Sequence, residues 1–213
     1  VPIGLLARFP RRVDPMLQTS GKKFFLYGLS IAASEEFLTQ GVLQGSYFLW
    51  VFTLIPFALF LLAASCLRNT IHRRLTGWIA PAVYYVFTGA LGLSVEWFII
   101  GLSPWRDTTS PLLLIILFHA GMFSFWGTVA FGPYLLLDDR QVTVKIQRSF
   151  VSLFVVLMAI AYALTLAAKL SHASGNVQFL ATIGPVILSF LSMNGVYLWY
   201  FYTCGPIQLK SHA

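Results

Sequence analysis

The sequence predicts an all-α polytopic membrane protein: a single bundle of six transmembrane helices with both termini on the cytoplasmic side. Three observations predict it. The 213 residues are 58% hydrophobic and 10% charged, with a mean hydropathy of +0.78, whereas soluble domains carry about 25% charged residues. Six apolar segments are each long enough to cross about 30 Å of hydrocarbon at 1.5 Å per helical residue. The basic residues gather on alternate connections, as the positive-inside rule requires of cytoplasmic loops.

Residues 1–23 read as a cytoplasmic arm lying at the interface, punctuated by Pro2, Pro10 and Pro15 and carrying Arg8, Arg11, Arg12, Lys22 and Lys23. The six-span bundle occupies 24–203. The first span, 24–43, is the least apolar because it holds Glu35, Glu36 and Gln40; a re-entrant or interfacial helix is the alternative there. It turns at Gln44-Gly45-Ser46 into the second span, 47–67. Arg68, Arg73 and Arg74 follow, then the third span, 78–102. Ser103-Pro104-Trp105-Arg106-Asp107 and Ser110-Pro111 bracket an outer loop. The fourth span, 111–137, leads to Arg140, Lys145 and Arg148 and the fifth span, 150–170. Ser174-Gly175-Asn176 marks the second outer loop before the sixth span, 177–203. Residues 204–213, with Lys210, form a cytoplasmic tail. Only Arg106 and Lys169 fall on the outer side. Trp50, Trp78, Trp105 and Trp199 sit near span ends, as an aromatic belt does. Pro56 and Pro185 fall inside spans, where neighbouring helices satisfy the freed carbonyls. Gly41 and Gly45 form a small-xxx-small pair expected to pack helices.

A net charge of +7 reads here as a topology signal. No basic stretch is interleaved with aromatics on a polar surface, so nucleic acid is not an expected partner. The lipid bilayer is, and other membrane subunits are a further candidate. Cys66 and Cys204 end hydrophobic runs on the cytoplasmic side and are expected to be free thiols packed among small residues, with juxtamembrane acylation as the alternative.

Residues 34–41 read Ser-Glu-Glu-Phe-Leu-Thr-Gln-Gly and residues 94–101 read Ser-Val-Glu-Trp-Phe-Ile-Ile-Gly. At an offset of 60 both give Ser-x-Glu-aromatic-apolar-x-x-Gly. Upstream, Phe24-Phe25-Leu26-Tyr27 faces Tyr84-Tyr85-Val86-Phe87. The first and third spans then run parallel, as in duplicated hairpins over 24–67 and 84–137, and such duplication is common in transporters.

Ionisable groups inside spans are costly and mark functional sites by default. Glu35, Glu36, Glu96 and His119 are four of them. Counted from the outer boundary at 1.5 Å per residue, Glu36, Glu96 and His119 lie about 10–13 Å deep, on three different helices. Gly28, Ala32, Glu36 and Gln40 form one stripe, and Gly89, Gly92 and Glu96 another; small residues turn these stripes toward other helices. His119 shares a face with Met122, Phe123 and Trp126, whereas Glu35 lies about 100° from Glu36. Convergence of Glu36, Glu96 and His119 is expected. Three readings stay open: a metal or cation site on those three ligands, a proton or charged-substrate site, and a structural cluster of hydrogen-bonded carboxyls. Asn194 and Ser124 are expected to hydrogen-bond between helices.

Residues Glu35-Glu36-Phe37-Leu38-Thr39-Gln40-Gly41 resemble the first motif of the prenyl-protein endopeptidase and bacteriocin-immunity membrane proteases, Glu-Glu-x-x-x-Arg, with Gln40 at the arginine position. That resemblance implies a water-activating glutamate, but of the two later histidine motifs only His119 is a counterpart. The order Ser34-Glu35, Glu96-Trp97, Phe118-His119 is similar to subunit III of haem-copper oxidases, without that family's terminal Trp-His-x-x-Asp pattern. Neither family is adopted. The leading function is therefore a non-catalytic membrane protein, transporter-like or a subunit of a complex, with a polar site of Glu36, Glu96, His119, Glu35 and Gln40. The alternative is a membrane-embedded enzyme on a lipid or isoprenoid substrate, using Glu/His acid–base or metal chemistry. No phosphate-binding or dinucleotide loop points to a cofactor.

Overall fold

The computed structural model describes residues 15–75, 77–104 and 111–209, with side chains from residue 21 to residue 203. Six long helices follow one another. Helix α1 spans Pro15–Glu36 and continues as a π-helical segment, Phe37–Leu43. Helix α2 is Tyr47–Arg74, and α3 is Ile79–Val95, which also continues as a π-helical segment, Glu96–Ile100. Helix α4 is Leu112–Leu136. A 3₁₀ turn, Gln141–Thr143, precedes α5, Val144–Leu170, and α6 is Gly175–Leu209. The chain is all-helical, and five of its helices, α2 to α6, are long and apolar enough to cross a membrane. Helix α1 is not among the five, because Lys22, Lys23, Glu35, Glu36 and Gln40 dilute its apolar run and its winding changes at Glu36.

Helix α4 is the centre of the bundle. It packs against α3, α6 and α1, and its C-terminal half is buried from Ser124 to Pro133 without a break. Small residues permit this. A methyl group on Gly121 would meet Ile187 of α6 at 2.7 Å, and one on Gly127 would meet Tyr85 of α3 at 2.4 Å. Close backbone approach is how helices gain packing where no hydrophobic driving force separates them from lipid. The aromatic content fills the same core: Phe57 stacks on Trp126 at 4.6 Å, and Phe131 meets Tyr197 edge-on at 4.9 Å.

Polar pairs fix the register of the helices. Asn194 Nδ2 donates to Ser124 Oγ at 2.9 Å, and the Tyr85 hydroxyl donates to Asn194 Oδ1, as the sequence led us to expect of Asn194 and Ser124. Tyr197 donates to Thr128 at 2.9 Å. At the basic end of the bundle Arg140 forks onto Asp138, and both Arg140 and Asp138 engage the Tyr200 hydroxyl at 2.7 Å. Burial raises the proton affinity of Asp138, but donation from Arg140 and Tyr200 more than offsets it and holds the carboxyl below its ordinary value.

Two expectations are corrected. Cys66 is exposed on α2 and not packed among small residues. Gly45 packs nothing: its φ of +72° ends the α1 hairpin, and no atom lies within 4 Å of where its Cβ would be. The segments 1–14 and 105–110, with Arg106 and Asp107, and the tail residues Lys210 and His212 lie outside the described residues, as does the side chain of Cys204.

Candidate functional site

The two copies of the repeated sequence end their helices in related ways. Each leaves α-helical winding at its glutamate: the π-helical segments begin at Phe37, directly after Glu36, and at Glu96. Each closes on a left-handed glycine, Gly45 at φ +72° and Gly101 at φ +90°. In each, an N–H one residue past the glycine returns six residues: Ser46 to the Gln40 carbonyl and Leu102 to the Glu96 carbonyl, both at 2.9 Å. π-Helical turns loosen the helix ladder and often occur at functional sites.

The winding of α1 is held by side chains from elsewhere. Trp50 Nε1 of α2 donates to the Ala33 carbonyl at 3.1 Å, and the Tyr162 hydroxyl of α5 donates to the Ser34 carbonyl at 2.7 Å. Thr39 donates to the carbonyls of Glu35 and Glu36. Lys169 of α5 donates to the Val42 carbonyl and, at 3.1 Å, to that of Leu43. Carbonyls that the α-to-π transition and the helix end would otherwise leave orphaned are thus satisfied.

Three carboxyls gather beside these segments. Glu35 and Glu96 are 9% and 5% exposed. Glu35 interacts electrostatically with Glu36 and Glu96, and Glu96 with Glu36 and His119. Glu96 Oε1 accepts a 2.9 Å hydrogen bond from Trp126 Nε1 of α4. Glu36 lies beside Gln40 and Thr53. The Thr53 hydroxyl donates instead to the Trp50 carbonyl at 2.8 Å, however. Glu36 Oε2 and Gln40 Oε1 are buried with no hydrogen-bond partner.

His119 stands at the margin of this cluster. Its Nδ1 lies 2.7 Å from the Ile115 carbonyl and its Nε2 3.0 Å from the Leu102 carbonyl. Only a doubly protonated ring donates to both; a neutral ring leaves one lone pair facing a carbonyl. The ring also lies 5.9 Å from that of Trp97. Its polar contacts are therefore with backbone, while its link to Glu96 is through charge alone. Among the described residues, no group of three or more His, Cys, Asp or Glu is arranged to hold a metal ion.

Sequence reasoning picked out Glu35, Glu36, Gln40, Glu96 and His119 but not Thr53, Trp126, Tyr162 or Lys169. Lys169 did carry a signal, as one of two basic residues off the basic side. Trp126 carried a weaker one, sharing a helical face with His119. No protein-family model, curated protein or solved structure matches this chain.

Proposed function

We propose that this chain is a six-span integral membrane protein with both termini cytoplasmic. Its Glu35/Glu36/Glu96 cluster binds a proton or a small cation, with Gln40 beside it and His119 at its edge. The role is non-catalytic, as a small transporter-like protein or a subunit of a membrane complex. The observation that carries this reading is the mutual proximity of three largely buried carboxyls from α1 and α3 with a buried carboxylate oxygen, Glu36 Oε2, left without a donor. Three ionised carboxylates cannot share a low-dielectric space without compensation, so they share protons or a cation. Lys169 is engaged with the Val42 and Leu43 carbonyls, and both ring nitrogens of His119 face carbonyls. The two glutamate-bearing segments are read as copies of one duplicated hairpin, supported by their common change of winding and glycine closure.

Difference infrared spectroscopy of the purified protein tests the site. A protonated-carboxyl band present at neutral pH should shrink when methylammonium is added, and should be lost or moved in Glu36→Gln and Glu96→Gln. A spectrum with no such band, identical in both variants, would overturn the reading. For orientation, single cysteines at Gly175 and Gln141 in a cysteine-free background separate the two topologies: an impermeant thiol reagent added outside should label Gly175→Cys and spare Gln141→Cys.

A further inference from the structure

A second feature borders His119. Helices α4 and α6 pack closely where a methyl on Gly121 would meet Ile187 at 2.7 Å, and between them runs a cavity of about 760 Å³. Its walls are Leu114, Leu117 and Phe118 of α4 and Phe179, Ile183 and Leu188 of α6, and the end of α3 closes its head with Leu102 and Ser103. Along α6 the lining runs from Phe179 to Leu191, about 18 Å at 1.5 Å per residue. That is close to one leaflet's share, about 15 Å, of a 30 Å hydrocarbon core.

The polar atoms of this cavity are few and uneven. Among the described residues, no Lys, Arg, Asp or Glu lines it. Both nitrogens of His119 already face carbonyls. Ser103 is different: it is 3% exposed, lines the head of the cavity, and its Oγ is buried without a hydrogen-bond partner. A buried hydroxyl is paired in almost every protein interior, and leaving it unpaired costs about 1–3 kcal/mol. Pockets with apolar walls and one placed polar group are how proteins hold small ligands.

We propose that the α4–α6 cavity is a binding site for a neutral single-chain amphiphile, its hydrocarbon chain along α6 and its hydroxyl or ester head on the Ser103 hydroxyl. Among the described lining residues a charged head group would find no opposite charge, and a wholly apolar molecule would leave Ser103 unpaired. The chain lies along α6, head at Ser103 and tail toward Leu188 and Leu191. This inference does not depend on the acid cluster: it uses neither Glu36 nor Glu96, and it survives if they bind nothing.

Photolabelling tests it. The purified full chain is irradiated with a diazirine-bearing monoacylglycerol and digested. Label should concentrate on peptides covering 112–121 and 177–191. Gly184 lines the cavity and has nothing within 4 Å of its would-be Cβ, so Gly184→Trp fills the site from open space. Labelling should fall about tenfold in Gly184→Trp, and Gly184→Leu serves if the larger side chain prevents folding. Gly195→Trp, on an equally open and exposed position of the same helix, should leave labelling unchanged. Ser103→Ala should lower it about fivefold, one hydrogen bond's contribution, and Ser103→Thr should restore it. Unlabelled monoacylglycerol should compete, and lysophosphatidylglycerol of the same chain length should not. Label spread evenly over the exposed helices, indifference to Gly184→Leu, or equal competition by the phospholipid would overturn the proposal. So would a covalent dimer in place of lipid adducts, since a second copy would then fill the groove.

Discussion

The ends of α1 and α3 carry the same eight-residue pattern and the same change of winding, yet they are stabilised in different ways. The end of α1 is internal. Leu38, Thr39 and Gly41 are buried, and three side chains from α2 and α5 hold its carbonyls. The end of α3 faces outward, with Phe98 and Ile99 more than 70% exposed; past Gly101 the Leu102 N–H returns to the Glu96 carbonyl, and His119 of α4 lies against the Leu102 carbonyl. The glycine closures also fall out of step: Gly45 and Gly101 are 56 residues apart, whereas the glutamates are 60 apart. Helix α1 therefore runs one further turn past its glutamate. The lesson is that a short motif can specify a winding, while the neighbouring helices decide whether that winding is buried and what holds it.

The largest expected effect comes from the position one turn before each glutamate, Ala32 in α1 and Gly92 in α3. A methyl on Gly92 would lie 2.0 Å from Trp126 Cγ and 2.3 Å from its Cβ, at the root of the side chain where rotation gives no relief. Gly92→Ala should cost about 3 kcal/mol, measured by thermal unfolding in detergent. Ala32→Gly should cost about 1 kcal/mol. Equal losses would break the comparison.

Lys169→Met comes next. It removes the donor to two carbonyls at the end of α1 and should cost about 2 kcal/mol. Hydrogen exchange should quicken at Gln44 and Ser46 and stay unchanged at Gly101 and Leu102. Equal quickening at both ends would mean that Lys169 does not act on the end of α1 alone.

A smaller and symmetrical effect is expected of the glycines themselves. Gly45→Ala and Gly101→Ala should each cost about 1 kcal/mol, because both impose a side chain on left-handed backbone. Unequal losses would show that the two closures are less alike than their geometry.

The smallest effect is a control at the opposite end of the bundle. Asp138 has a folded-state proton affinity below its ordinary value of 3.8. Its contribution is therefore complete above that value and is lost as the pH falls through the lower, folded one. Asp138→Asn should lower the unfolding temperature at neutral pH and remove part of the decline below about pH 4. Neither π-helical segment should respond in hydrogen exchange.

Much of the fold was legible because hydropathy and loop charge act locally. The expected first span 24–43 and the π-helical continuation of α1 end at the same residue, Leu43. The Glu36 and Glu96 register was legible as well, since repeated sequence needs no structure to be seen. The change of winding was not. It depends on Trp50, Tyr162 and Lys169 arriving from other helices, and no local pattern names the helix that will supply them. The orientation of Glu35 escaped for the same reason: a 100° offset on α1 leads away from Glu36 only if no third helix stands there. The cavity beside His119 was hidden because a gap between α4 and α6 is a property of two packed helices and not of either sequence.

The buried C-terminal half of α4 has a consequence for how the chain is made. Its hydroxyls Ser124 and Thr128 pair with Asn194 and Tyr197 of α6, a helix synthesised after α4 and α5. Until α6 inserts, those two pairs are unmade and the central helix presents a polar seam. A ribosome stalled between α5 and α6 would leave that seam open to whatever membrane chaperone reads unpaired hydroxyls, and the insertion of α6 closes it.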